Sequence, residues 1–494
     1  LTGRQAEDKI KKYHFSLKAG LCVLLESLSE YALQGFCPMH MPGHKRNTGL
    51  LGTDLPYSID ITEIDGFDDL HDPHGILKQV SETASSLYGS KASFLLVNGS
   101  TGGILAAVRS AVKPGDTVVL ARNCHASVYH ACELCNLKTV YLLPEQDPAT
   151  GLDGGISPEQ THKALTEHPD AKLVVVTSPT YAGVTSDIRS IASAAHCRGI
   201  PLLVDQAHGA HFGFSPYFPE SALQNGADLV VTSLHKTLPA LTQCALAHVG
   251  GELINPKRLA RELSVFETSS PSYVLLASID RCLQLLSSRR KPLFHGLEES
   301  LRSFDQKIEG LRKLTVVCHG ADSLSGHSSF YDFDAGKLVV YTGKTDITGV
   351  SLMELLRNKY RIELEMASAD YALAIVGICD PPEHFDRLAQ ALIEIEKEAR
   401  ESPPLEHPRP FLPAQAKPIG EAVFEEGRLV SPDAAVGMMS LDYVWAYPPG
   451  VPLLVPGEIV DSNAVGEMER LSAAGVHLRS TAGSLPDSLR VESP

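Results

Sequence analysis

The chain has 494 residues, 43% hydrophobic and 21% charged, an ordinary balance for a soluble globular protein with room for two to four domains at about 150 residues each. A formal net charge of −16 at pH 7 argues against general binding to a nucleic-acid backbone. No run approaches the ~18 apolar residues of a membrane span, and Leu21–Leu25 is too short for a signal-peptide core.

Residues 1–45 read as an N-terminal extension and arm, polar up to Lys18. From Ala92 to Val249, short apolar runs alternate with helix-like stretches. The runs are Phe94–Val97, Thr117–Leu120, Val140–Leu143, Leu173–Val176, Leu202–Val204 and Leu229–Val231. Each is followed by polar or glycine residues, as in strands of a mostly parallel sheet buried on both faces. Ser157–Glu167 and Asp187–Cys197 have the length of crossover helices. The series predicts an α/β large domain over 46–312, closed by a long charged helix over Ser272–Leu311.

A smaller α+β domain is expected over 313–402. Its elements read as strand Leu338–Tyr341, helix Val350–Lys359, strand Arg361–Met366, strand Tyr371–Val376 and helix Pro382–Arg400. Residues 403–494 read as a proline-rich linker, Pro403 to Pro418, and a C-terminal segment. The ten cysteines are scattered and read as reduced thiols, so the expected compartment is the cytoplasm. Cys124, His130, Cys132 and Cys135 lie close together, but no second cysteine pair follows and no metal is expected.

Ligands of an open α/β sheet bind beyond the carboxyl ends of its strands. Four features occupy such places. Asn98-Gly99-Ser100-Thr101-Gly102-Gly103 opens a helix, where glycines and backbone N–H groups accommodate a phosphate and Ser100 and Thr101 add hydroxyls. Taken alone it is equally an N-capped helix. His125 follows the next strand, and its imidazole can stack on a flat ring. Asp205 ends a strand and is placed to pair with a pyridine nitrogen, with the small Ala207 and then His208 just beyond. Lys236 ends Ser233-Leu234-His235-Lys236, where burial would leave the free amine that imine formation needs. Phosphate loop, histidine, aspartate and lysine, in this order, are the parts of a pyridoxal 5'-phosphate (PLP) site.

Further motifs extend the pattern: Met41-Pro42-Gly43-His44-Lys45, Asp60-Ile61-Thr62-Glu63, Arg122-Asn123-Cys124-His125, Ser178-Pro179-Thr180-Tyr181, Ser269-Ser270-Pro271-Ser272-Tyr273, Gln243 downstream of the lysine motif, and Tyr447-Pro448-Pro449-Gly450. With them the chain resembles the Orn/Lys/Arg decarboxylase family, in the short form without an N-terminal wing domain, from about Ser27 to Glu458. The resemblance implies the aspartate-aminotransferase-like fold (fold type I) and PLP-dependent decarboxylation of arginine, lysine or ornithine to a polyamine-type amine. It implies Lys236 as the Schiff-base lysine, Asp205 on the pyridinium nitrogen and His125 stacked on the ring. Gly99, Ser100, Thr101, Ser233 and His235 would surround the phosphate. It further implies a homodimer or higher homo-oligomer with the site at the subunit boundary, near His44 and Ser269–Tyr273. Gln206 stands where short members usually carry Glu, Ala126 where they usually carry Lys, and Pro239 where small residues are usual. Glu63, Asp65 and Glu458 are candidates for the pocket holding a substrate's distal cation. An aminotransferase or Cβ lyase of the same fold would use the same four features. A non-catalytic relative is a further alternative, against which the intact Lys236 argues.

Overall fold

The computed structural model describes residues 23–34, 42, 52–403, 407, 410–446, 450–483, 485 and 487–493. The Met41–Lys45 motif apart from Pro42, and Tyr447–Pro449, therefore lie outside the described residues.

A seven-stranded sheet forms the large domain. Its strands are β1 (Ala92–Leu96), β2 (Thr117–Ala121), β3 (Lys138–Leu142), β4 (Leu173–Thr177), β6 (Leu202–Asp205), β7 (Leu229–Ser233) and β8 (Ala245–Val249), in the order β1-β8-β7-β6-β4-β2-β3. A two-residue strand, β5 (Val184–Thr185), lies outside it and pairs with Asp332–Phe333. The runs β3, β2, β4, β6 and β7 pair in parallel. β2, β6, β7 and β8 are buried along their whole length, which is why the first three read as unbroken apolar runs rather than alternating ones.

β8, absent from the sequence reading, runs antiparallel to both β7 and β1. It turns the chain back so that the carboxyl ends of β1, β2, β4, β6 and β7 share one edge. Leu96, Ala245 and Ser233 form one row across that edge, and Thr177, Asp205 and Val231 another.

Helices α1 (Val23–Leu33), α2 (Ile76–Tyr88), α3 (Gly99–Ala111), α4 (Ala126–Leu134), α5 (Pro158–Glu167), α6 (Ile188–His196), α7 (Leu234–Thr237), α8 (Pro256–Phe266) and α9 (Tyr273–Ile308) accompany the sheet. α5 begins at Pro158, capped by Ser157, and α6 is capped by Asp187, so both crossover helices start where the sequence placed them. Asp68 in the acidic loop accepts from the backbone N–H groups of His74, Gly75 and Leu77 at the start of α2.

The smaller sheet is antiparallel, in the order Met366–Ala367, Tyr371–Ile375, Lys337–Tyr341, Thr315–Val316, with α10 (Gly349–Tyr360) and α11 (Pro382–Glu398). The expected strand Arg361–Met366 is corrected. Arg361 adopts the left-handed conformation (φ 58°) and terminates α10, so only Met366–Ala367 remains extended and paired. The C-terminal stretch, to which the sequence reading gave no elements, holds two small sheets and the helix Ser462–Ala473. These enclose a core of their own, including Val444, Leu454, Val460, Ala464 and Val491.

Candidate active site

The sheet edge gathers the four features named from sequence. α3 opens at Gly99, whose φ of 71° is readily available to glycine, and whose N–H donates to the Gln243 carbonyl at 3.0 Å. Gln243 thus ties the loop after α7 to the loop before α3. The N-cap residue Asn98 makes no side-chain cap, since its amide donates to the Phe266 carbonyl instead. The first turn of α3, with Ser100 and Thr101, therefore keeps uncapped N–H groups, which favour an anion. Ser233, one strand away, is fully buried and its Oγ has no hydrogen-bond partner among the described residues. His235 is half-buried and its Nδ1 lies 3.2 Å from the Cys244 carbonyl. Burial lowers its pKa, the Cys244 carbonyl acts the other way, and Lys236 lowers it further.

Asp205 is buried, and its Oδ1 accepts from the Ala207 N–H at 3.1 Å. Ala207 is buried beside it. His125 caps α4, accepting from the Ser127 N–H at 3.2 Å, and presents an exposed face to the site. The protein crowded around it lowers its pKa, Asp205 raises it, and Lys236 and His130 lower it again.

Lys236 Nζ lies 2.9 Å from His208 Nε2. Burial lowers the Lys236 pKa, while Asp205 and Glu365 act in the opposite direction. His208 is buried and pushed well below its ordinary pKa, first by burial and then by Lys337 and Lys236. It is therefore a neutral imidazole at pH 7. The Tyr181 ring sits 4.4 Å from it, and the Tyr181 hydroxyl donates to Glu365 at 2.5 Å.

Glu365, Tyr181 and Lys337 complete this constellation. The sequence reading quoted Tyr181 only within a motif and missed the other two. Glu365 lies in the segment mistaken for a strand. Lys337 opens a strand, a position that reads as solvent-facing, and no local signal marks it.

Glu458 is corrected as a pocket residue. It is fully buried, its Oε2 pairs with Arg122 at 3.1 Å and accepts from the Val455 N–H at 2.9 Å. Arg122 also donates to Tyr129 and to the Pro452 and Leu453 carbonyls. Gln206 is likewise braced at both ends, donating to the Gly209 carbonyl and accepting from the Ala222 N–H. Glu458 Oε1 has no partner among the described residues, but both side chains are sealed from solvent. Asp65 is exposed, and Glu63 is half-buried beside Tyr273. Tyr273 is packed in the core with its hydroxyl on the Asp68 carbonyl, while Ser269 and Ser270 are exposed; His44 lies outside the described residues. Cys124, Cys132 and Cys135 are buried free thiols. Cys318, Asp322 and His327 lie close enough to bind a metal, but both His327 nitrogens are already engaged by Asp147 and Asp322.

The sheet order, the antiparallel β8, an aspartate at the end of one strand and a lysine just beyond the end of its neighbour define an α/β protein of the fold-type-I class. A solved structure of SPT with PLP shares this architecture at a TM-score of 0.51 and 16% identity, over 65% of this chain and 76% of that one. Lysine decarboxylase A from Pseudomonas aeruginosa is nearer in fold, with a TM-score of 0.79 at 18% identity over 99% of this chain and 82% of that one. The chain belongs to the Orn/Lys/Arg decarboxylase family: the model for "Orn/Lys/Arg decarboxylase, major domain" matches residues 23–337. An arginine decarboxylase from Halalkalibacterium halodurans is 34% identical over 92% of this chain and 94% of its own length.

Proposed function

We propose that the protein is a PLP-dependent decarboxylase of a basic amino acid, releasing CO2 and the corresponding amine, with arginine the first substrate to test. The observation that carries this reading is Lys236 held against a neutral His208, within the electrostatic reach of Asp205, in a chain of this family.

The residues fit the cofactor. The uncapped start of α3 and the unpartnered, buried Ser233 Oγ suit a phosphate, with Gly99, Ser100, Thr101 and His235 around it. Asp205 would hold the proton on the ring nitrogen, Ala207 and His208 would line the ring, and His125 would cover one face. Lys236 would hold PLP covalently through Nζ. PLP, when bound, supplies the electron sink that accepts the electron pair left by the departing carboxylate.

The chain's own groups do the rest. Lys236 Nζ, hydrogen-bonded to His208, is positioned to carry a proton at the reacting edge. Glu365, exposed at the mouth and oriented by Tyr181, supplies a carboxylate for the distal cation of arginine, lysine or ornithine. A homodimer or larger homo-oligomer with the site at a subunit boundary, and a cytoplasmic location, belong to the same proposal and rest on the family resemblance.

The test is product analysis of the purified protein with PLP and each of the three amino acids. Equimolar CO2 and amine support the reading. A keto acid without CO2 replaces it with an aminotransferase, and no turnover together with no visible absorption from bound PLP replaces it with a non-catalytic relative.

A further inference from the structure

Lys337 is the largest charged side chain that the described residues bury completely. Its stem runs past Gly183, where a Cβ would stand 2.6 Å from Lys337 Cγ, so the chain leaves a slot for it. Its Nζ lies 3.1 Å from His208 Nδ1. One imidazole thus has a lysine on each nitrogen, Lys337 on Nδ1 and Lys236 on Nε2.

A neutral imidazole donates from one nitrogen and accepts at the other. It cannot accept from two ammonium groups. If both contacts are hydrogen bonds, one lysine donates to the bare nitrogen and the other, as a free amine, accepts from the imidazole N–H.

The surroundings decide the direction. Lys337 faces the fully buried Asp334, which is held ionised by His211 at 3.0 Å and by the Gly336 N–H at 2.9 Å. Asp334 Oδ2 has no hydrogen bond among the described residues and is available to balance an ammonium. Burial lowers Lys337 to about 8, Asp334 opposes the shift and the neighbouring Lys236 adds to it, so the counter-charge on this side of the imidazole is Asp334. Lys236 faces Asp205, Glu365, His208 and His125, and His208 also faces His235. Glu365 acts on both lysines but is engaged by Tyr181. Asp205 is committed to the Ala207 N–H and, on the reading above, to the cofactor ring.

We propose that Lys337 is a positioning residue for Lys236: by donating to His208 Nδ1 it fixes the proton on Nε2, and His208 then donates to Lys236 and holds it as a free amine. This rests on Lys236 being the PLP lysine, but it is testable without the cofactor.

Competitive acetylation of the full chain from neutral to strongly alkaline pH, resolved by peptide mass spectrometry, reads the titration of Lys236. In K337M the Lys236 midpoint is expected to rise by about one unit, with about tenfold lower reactivity near neutrality. In a His208→Phe background the same substitution is expected to add nothing, because the relay is already cut. A folded K337M with a wild-type profile overturns the proposal, as does a full additional shift in the H208F background. Should K337M not fold, nitrogen NMR of the wild-type imidazole decides: the proposal requires protonated Nε2 and bare Nδ1, and the opposite tautomer overturns it. An arm with added PLP separates the two readings. Failure of PLP to protect Lys236 would sink the cofactor assignment and leave the Lys337 result standing.

Discussion

Two clusters of charge lie beyond the carboxyl ends of the same sheet, and they are built differently. Around Arg122 and Glu458, a guanidinium and a carboxylate meet each other, a tyrosine and backbone groups; both terminal guanidinium nitrogens are engaged, and Glu458 Oε1 is left buried without a partner among the described residues. Around Lys236, an amine shares a neutral histidine with a second lysine, a serine hydroxyl lacks a partner among the described residues, and a helix start is uncapped. The first arrangement ties the C-terminal segment to the large domain. Each holds a buried oxygen without a partner among the described residues, and only the second sets it beside paired amines and an uncapped helix start. Buried charge alone does not mark a functional site; what distinguishes the two is that the first pairs opposite charges, whereas the second sets two amines on one neutral imidazole.

Substitutions should separate the clusters cleanly. Lys236→Ala is expected to abolish turnover and the visible absorption of bound PLP while leaving the thermal midpoint near wild type, since it removes a lowered-pKa amine from a site with little packing role. Retained activity would erase the distinction. Glu458→Ala is expected to do the reverse. It leaves the Arg122 charge buried without its counter-charge, at a cost of about 3 kcal/mol, read as a lower midpoint in denaturant. The KM of the folded fraction should not change, and a selective rise in KM would return Glu458 to the pocket.

Glu365→Gln should raise KM for a basic amino acid about tenfold, the worth of one charge-assisted contact, with little change in stability. The smallest effect belongs to a third cluster. His327, between Asp147 and Asp322, is raised to about 9 by those two hydrogen bonds. Its folded pKa lies above the unfolded value, so its stabilisation is complete below about 6.5 and is lost as pH rises towards about 9. The thermal midpoint should fall across that window, and His327→Phe should flatten the fall.

The comparison also shows what the sequence could convey. Asp205 and Lys236 were legible because the first ends a buried strand and the second follows one by three residues, and position at a strand end limits what a polar side chain can do. α5 and α6 were legible through Ser157 and Asp187 at their caps. Glu458 was misread because acidity says nothing about a partner 336 residues away. Lys337 was invisible for the same reason: its partner is 129 residues distant and the slot beside it is made by Gly183. β8 was missed because Ala245-Leu246-Ala247-His248-Val249 carries a histidine and two alanines. The structure satisfies that histidine with Ser93 and Thr232 inside the sheet.

The most direct test is borohydride reduction of the PLP-loaded protein followed by peptide mapping. The account predicts the pyridoxyl group on the peptide carrying Lys236 and none on Lys337. A label on Lys337, or on neither lysine, would contradict it.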